Sequence, residues 1–193
     1  MDGRLTGMTA LVTGAGQDLC LLVVEALAVH GATVVAASAK QPLDVPHDSD
    51  VDILVDVTGS SDPKPFTKIT DQDWRGIFEN DVMPGIQVAR HMMPRMLLRD
   101  RGCLIFVIGG FAAADPWKVI HHEAIAAARL SIAQSLASMA TGTGVTVGAV
   151  LACEAGLAPV ERGRHLISNR CAETTEEIVK SVLELVHALH PEP

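Results

Sequence analysis

Five apolar runs, six to nine residues long, recur along this chain with stretches of helical periodicity between them. That alternation constrains the fold more than any other feature. Apolar run, helix and apolar run again is the pattern of strands that lie parallel and are covered by helices on both faces. The runs are MTALVTGAG (8–16), TVVAAS (33–38), VDILVDVTG (51–59), GCLIFVIGG (102–110) and GVTVGAVLA (144–152). QDLCLLVVEALAVHGA (17–32) reads as a helix that stops at Gly31. Residues 69–100 read as a long helical region with kinks or breaks at Pro84 and Pro94. VIHHEAIAAARLSIAQSLAS (119–138) reads as a third helix. The last starts at TTEE, where Thr174 caps and Glu177 completes a capping box. Ile178, Val182, Leu185 and Leu189 give it an apolar stripe. Right-handed crossovers would place all the strands in one sheet.

The 193 residues are enough for a single domain, 1–193, with a sizeable core, and no repeat or linker divides them. A net charge of −8 argues against nucleic acid or an anionic membrane as a partner. Arg90, Arg95, Arg99 and Arg101 form a loose cluster, read first as a solvated helix face and second as an anion or acyl-CoA phosphate contact. Cys20, Cys103, Cys153 and Cys171 lack metal-ligand spacing and read as buried thiols in a reducing compartment, so no metal and a cytoplasmic location are expected. Charges interrupt every long apolar run and the amino terminus shows no leader pattern, so neither a membrane span nor secretion is expected. The chain contains no tyrosine.

Six anchors in order resemble the short-chain dehydrogenase/reductase family, from about Leu5 to about Ala158. LVTGAGQDLC stands where the family has TGxxxGxG, and VDILVDVTG where it has a strand ending in NNAG. KPFTKITDQDWRGIFENDVMPG leads to the active-site asparagine, here Asn80. GCLIFVIGG matches the strand ending at the catalytic serine, the helix at 119–138 matches the YxxxK helix, and GVTVGAVLACEAG matches the strand before the PG motif. The resemblance implies a doubly wound, Rossmann-like parallel sheet of five to six strands. It is truncated, because the 15 residues from Ala36 to Asp50 cannot hold the family's helix, strand and helix, with PLDV (42–45) as a remnant strand. The family's final strand is also missing.

The functional positions of the family are filled differently here. Gly14 and Gly16 stand in the glycine turn, but Asp18 and Cys20 replace the next two glycines. Those glycines let the backbone approach a pyrophosphate at a helix N-terminus. Cys20 is expected to crowd that approach and Asp18 to repel it, by roughly 1 kcal/mol in water and about 4 kcal/mol if half-buried. Asp18 also reads as a helix N-cap. The second strand ends without the acid or base that grips an adenosine ribose, with Lys40 a faint candidate for a 2′-phosphate. The serine, tyrosine and lysine positions fall at Gly109, His122 and Ala126, and only Asn80 is retained. His121, His122 and Glu123 are adjacent on a helix, point in different directions and make a poor metal site.

These readings lead to the expectation of no catalytic residue and no cofactor in this chain. Ala124, Ala128, Ser131, Ser135 and Ser138 form a stripe of small residues, expected to be a subunit interface, and Ile125, Ile132, Leu136 and Met139 a stripe facing the sheet. The expected function is a non-catalytic subunit. It would pair through the helices at 69–100 and 119–140 with an active, NAD-carrying dehydrogenase in a hetero-oligomer, expected to be a heterotetramer, acting on an alcohol or a hydroxyacyl-CoA. The family contains such heteromers, the hydroxy(phenyl)methylsuccinyl-CoA dehydrogenase of anaerobic toluene degradation being one type, and the chain resembles a small subunit of that kind. Two alternatives are a ligand-binding or regulatory module using the vacated cleft near Asp18, Thr58 and His122, and an enzyme with new chemistry built on His122 and Asn80.

Overall fold

The computed structural model describes residues 4–14, 18–38, 50–57, 64–109, 116–152 and 174–187, with the backbone alone at 116–119. Five parallel strands, β1 (Thr9–Thr13), β2 (Thr33–Ala37), β3 (Ile53–Asp56), β4 (Gly102–Ile108) and β5 (Val145–Leu151), form one sheet in the order β2-β1-β3-β4-β5. The expected α/β class and doubly wound sheet are thus observed. The proposed remnant strand at 42–45, together with Gly16, Lys40, Thr58 and Leu189, lies outside the described residues.

Both faces of the sheet are covered, and the period-two pattern of β4 shows why every strand reads as apolar. Leu104, Phe106 and Ile108 enter one core, with Val88, Met92 and Met96 of α3 (Met83–Leu98) and Ala126, Leu130 and Ala133 of α4 (Pro116–Met139). Cys103, Ile105 and Val107 enter the other, with Cys20, Val23 and Leu27 of α1 (Asp18–Val29) and Ile178, Val182 and Val186 of α5 (Thr175–His187). Each buried aliphatic side chain contributes about 1.5–3 kcal/mol. Burial in that second core pushes the Cys103 thiol far above its ordinary range. Toward the first core α4 presents Ala126, Leu130 and Ala133, with the expected Leu136 packed beside them. The expected Met139 is instead 65% exposed, because helical periodicity carries it off that face.

Residues 69–100 form two helices rather than one. A short 3-10 turn, Phe66–Lys68, precedes α2 (Asp71–Asp81), and Val82 separates it from α3. Pro84 falls in the first turn of α3, where its missing N–H leaves nothing unpaired. Pro94 lies inside α3 without ending it, since Met92, Met93 and Met96 hold the helix against the sheet on either side. Thr70 and Asp73 cap α2 reciprocally, and Lys64 lies 2.5 Å from the Asp73 carboxylate. The Lys64 ammonium, then the Thr70 backbone and hydroxyl, hold that carboxyl well below the usual carboxylate range. A depressed carboxyl stabilises above its unfolded pKa, so this contribution is lost only as the pH falls into strong acid. At α5 the expected capping box forms: the Glu177 N–H donates to Thr174 Oγ1 at 3.2 Å, and the Thr174 N–H to the Glu177 carboxylate at 3.3 Å.

The amino edge of the sheet is tied by the turn between α3 and β4. Arg99 donates to the Val51 carbonyl at 2.8 Å and pairs with Asp50, while Arg101 pairs with Asp52 at 3.2 Å. These two arginines therefore serve the sheet edge rather than a solvated helix face. Asp100 has a positive φ of 51°, and its carboxylate accepts the Gly144 N–H at 2.7 Å. A Cβ on Gly144 would fall on the Asp100 carbonyl, which explains the glycine.

One polar network crosses the apolar interior. Thr13, Asp56 and Phe106 lie side by side in register on β1, β3 and β4. Asp56 Oδ1 accepts the Thr13 hydroxyl at 2.6 Å. Asp56 Oδ2 accepts Arg129 of α4 at 2.7 Å, and the same guanidinium nitrogen reaches the Asp56 carbonyl at 3.2 Å. The side chains of Arg129 and Asp56 are 4% and 1% exposed. On α3, a Cβ added at Gly85 would fall on Asp56 Oδ2.

Arg129→Leu is expected to cost about 3–5 kcal/mol by stranding a buried carboxylate, read by urea denaturation. Gly85→Ala is expected to cost about 1–3 kcal/mol through overpacking. A Gly85→Ala protein with an unchanged urea midpoint would contradict the close approach of α3 to Asp56.

Candidate active site

In a parallel sheet of this kind, ligands bind outside the carboxyl ends of the strands, where the chain order switches sides. Here the switch is at β1, which has β2 on one side and β3 on the other. The residues that face it follow Thr13, Asp56 and Ile108 in the chain.

Gly14 closes β1 with φ at 100°, a conformation that favours glycine, and its N–H donates to the Ala37 carbonyl at 3.0 Å. α1 starts at Asp18, which is its first helical residue and exposed. A negative side chain there complements the positive end of the helix. Cys20 is 1% exposed and packs with Val23, Val12 and Val57. Its side chain points into the core, so the crowding expected at the pyrophosphate approach falls on the helix–sheet contact instead. Ala37 is buried and Ser38 exposed at the end of β2.

The positions matching the family's catalytic set are separated by environment. Gly109, just past β4, is exposed, and a Cβ there would meet nothing within 4 Å. Ala126 is 1% exposed, deep in the core under α4. Asn80 is exposed on α2, and its amide donates to the Gly76 carbonyl at 2.7 Å, a local helix contact. His122 is half-buried on α4, and its Nε2 is shielded from solvent with no hydrogen-bond partner among the described residues. His121, 1% exposed, meets it edge to face with centroids 4.3 Å apart, and Trp74 of α2 lies 6.4 Å from His121. Among the described residues no group of three or more His, Cys, Asp or Glu side chains could hold a metal, and no helix is long and apolar enough to cross a membrane.

Along α4, Ala124, Ser131, Ser135 and Ser138 are exposed and Ala128 is half-buried. The hydroxyls of Ser135 and Ser138 donate to the carbonyls of Ser131 and Gln134, each at 2.9 Å, so they are satisfied within the helix.

Sequence reasoning missed Arg129, Thr13 and Asp56. A signal was present: Arg129 stands within the stripe of Ala126, Leu130 and Ala133, and an arginine on an apolar face implies a buried acidic partner.

The turn at Gly14 and the N-terminus of α1 are the groups that would hold a pyrophosphate. Cys20 is turned away from them. The Asp18 carboxylate, being exposed, opposes a phosphate by only about 1 kcal/mol at 4 Å.

A family model described as short chain dehydrogenase matches residues 45–156. The chain is 28% identical over 183 aligned positions to the uncharacterized oxidoreductase YvaG of Bacillus subtilis, covering 78% of this chain and 69% of that one. It is 29% identical over 153 positions to the uncharacterized oxidoreductase YvrD of the same organism, covering 75% of this chain and 58% of that one. The chain thus spans about two thirds of the first relative and less of the second. A solved structure described as a short chain dehydrogenase/reductase family protein superposes with a TM-score of 0.77 at 22% identity, covering 97% of this chain and 94% of that one. That likeness, on the level of the fold, extends over nearly the whole of both chains.

These likenesses correct the expectation of a non-catalytic supporting subunit. The family is one of dehydrogenases and both relatives are oxidoreductases, so kinship points to oxidoreduction and not to a separate supporting role. The inward Cys20 removes one physical ground for it as well. The chain belongs to the short-chain dehydrogenase family.

Proposed function

We propose that this chain is an oxidoreductase that interconverts an alcohol and a carbonyl at the carboxyl edge of its sheet, with His122 as the proton-transfer group. The carrying observation is the His122 Nε2, shielded from solvent and with no hydrogen-bond partner among the described residues, at the position that resembles the family's tyrosine. Histidine exchanges protons near neutral pH and suits general acid–base work. A nicotinamide dinucleotide, when bound, supplies or accepts the hydride. This chain would hold its pyrophosphate at Gly14 and the start of α1. His122 would give a proton to the carbonyl oxygen in reduction and take it from the hydroxyl in oxidation. Among the described residues nothing lies within 4 Å of a Cβ added at Gly109, which would leave room beside the substrate oxygen. A hydroxyacyl-CoA is one substrate of the required class.

The unit that works in this reading is an oligomer. The small-residue stripe of α4 faces outward, and Phe78 of α2 and Met139 of α4 are 44% and 65% exposed. A second dehydrogenase subunit, packed against α2, α3 and α4, would cover them.

Three measurements test this reading. Titration of the purified protein with NADH or NADPH, followed by nicotinamide fluorescence, is expected to give saturable micromolar binding; no binding at millimolar dinucleotide would sink the cofactor assignment. His122→Phe is expected to lower turnover by about 100-fold or more with the thermal midpoint retained, and unchanged turnover would remove His122 from the mechanism. Ser135→Arg is expected to release smaller species in light scattering; an unaltered mass distribution would place the subunit contact elsewhere.

A further inference from the structure

We propose that Arg129 is a positioning residue, which through Asp56 locks the carboxyl ends of β1 and β3 to the helix that carries His122. The three places it joins are those that matter at the crevice. Thr13, bonded to Asp56 Oδ1 at 2.6 Å, directly precedes Gly14. Asp56 directly precedes Val57, whose N–H donates to the Thr13 carbonyl at 3.2 Å. Arg129 follows His122 by seven residues, two turns along the same helix and about 10 Å along its axis.

The bonding leaves the junction little freedom. Both carboxylate oxygens of Asp56 are engaged, one by Thr13 and one by Arg129, and the Asp56 carbonyl takes a second contact from the same guanidinium nitrogen at 3.2 Å. The absent Cβ of Gly85 lets α3 close over the carboxylate. Rotation of Asp56 would break contacts to β1 and α4 together. A buried ion pair is a poor source of stability, because desolvation offsets much of its attraction, and apolar replacements of similar volume often serve as well. What an apolar replacement lacks is direction. A guanidinium fixes the carboxylate's orientation, whereas a hydrocarbon of the same volume leaves it undefined. The pair is therefore assigned to placing the Gly14 and Val57 backbone relative to His122.

The inference rests on the proposed function only where activity is read, so its first readout is independent of any reaction. The test compares the full-length wild type with the double variant D56N/R129M and with R129K. In the double variant the carboxamide introduced at position 56 still accepts the Thr13 hydroxyl, and the buried charges are gone. The expected result is a thermal midpoint within a few degrees of wild type, with hydrogen exchange at the Gly14 and Val57 amides at least tenfold faster and NADH affinity at least tenfold weaker. Wild-type exchange at both amides in a folded double variant would overturn the proposal and leave the pair a filler of space. R129K serves if the double variant does not fold: it keeps the charge on a shorter, single-nitrogen head, and is expected to fold with the same two amides exchanging faster. Unchanged protection in R129K also overturns the proposal. Faster exchange in a protein whose wild type binds no NADH supports the positioning role while removing the proposed function.

Discussion

A carboxylate and a guanidinium, both out of water, meet where β1, β3, α3 and α4 come together. Isolated charges of this kind are not tolerated in an apolar interior, so each requires the other. The consequences run outward from that demand. Thr13 must carry a hydroxyl, residue 85 must lack a Cβ, and α4 must present residue 129 opposite the end of β3. The seat of two helices and the floor of the crevice are thus conditions of one interaction.

The architecture was legible because its signals are local. Every apolar run became a strand, since a parallel strand is buried on both faces and cannot hide a different composition. The Thr174–Glu177 box was legible because both halves lie within one turn. The long-range features were not. Arg129 and Asp56 are 73 residues apart, and no window over either reveals the other. Cys20 was placed on the wrong side of its helix, because a glycine in that motif has two possible reasons: room for a phosphate outside or room for the sheet inside. Burial decides for the sheet. Met139 was assigned by spacing alone, and spacing drifts off a face as a long helix proceeds.

The functional reading moved further than the fold. Absence of tyrosine and of the family's lysine led to the expectation of a supporting subunit, whereas kinship places the chain among oxidoreductases. A missing phenol removes one way of moving a proton, not the need to move it. Among the described residues His122 Nε2 has no hydrogen-bond partner in a shielded place, which is unusual for a polar atom. Ala126, by contrast, has joined the core, so the neighbourhood has been partly converted to packing.

The links at the amino edge have a consequence for how such a chain can vary. Arg99, Asp100 and Arg101 fasten one turn to the starts of β1, β3 and β5 by way of Val51, Asp52 and Gly144. A sheet clasped at one rim does not depend on the opposite rim for its register. Loops on the far rim can then be shortened, exchanged or lost, one at a time, while the molecule still unfolds as a unit.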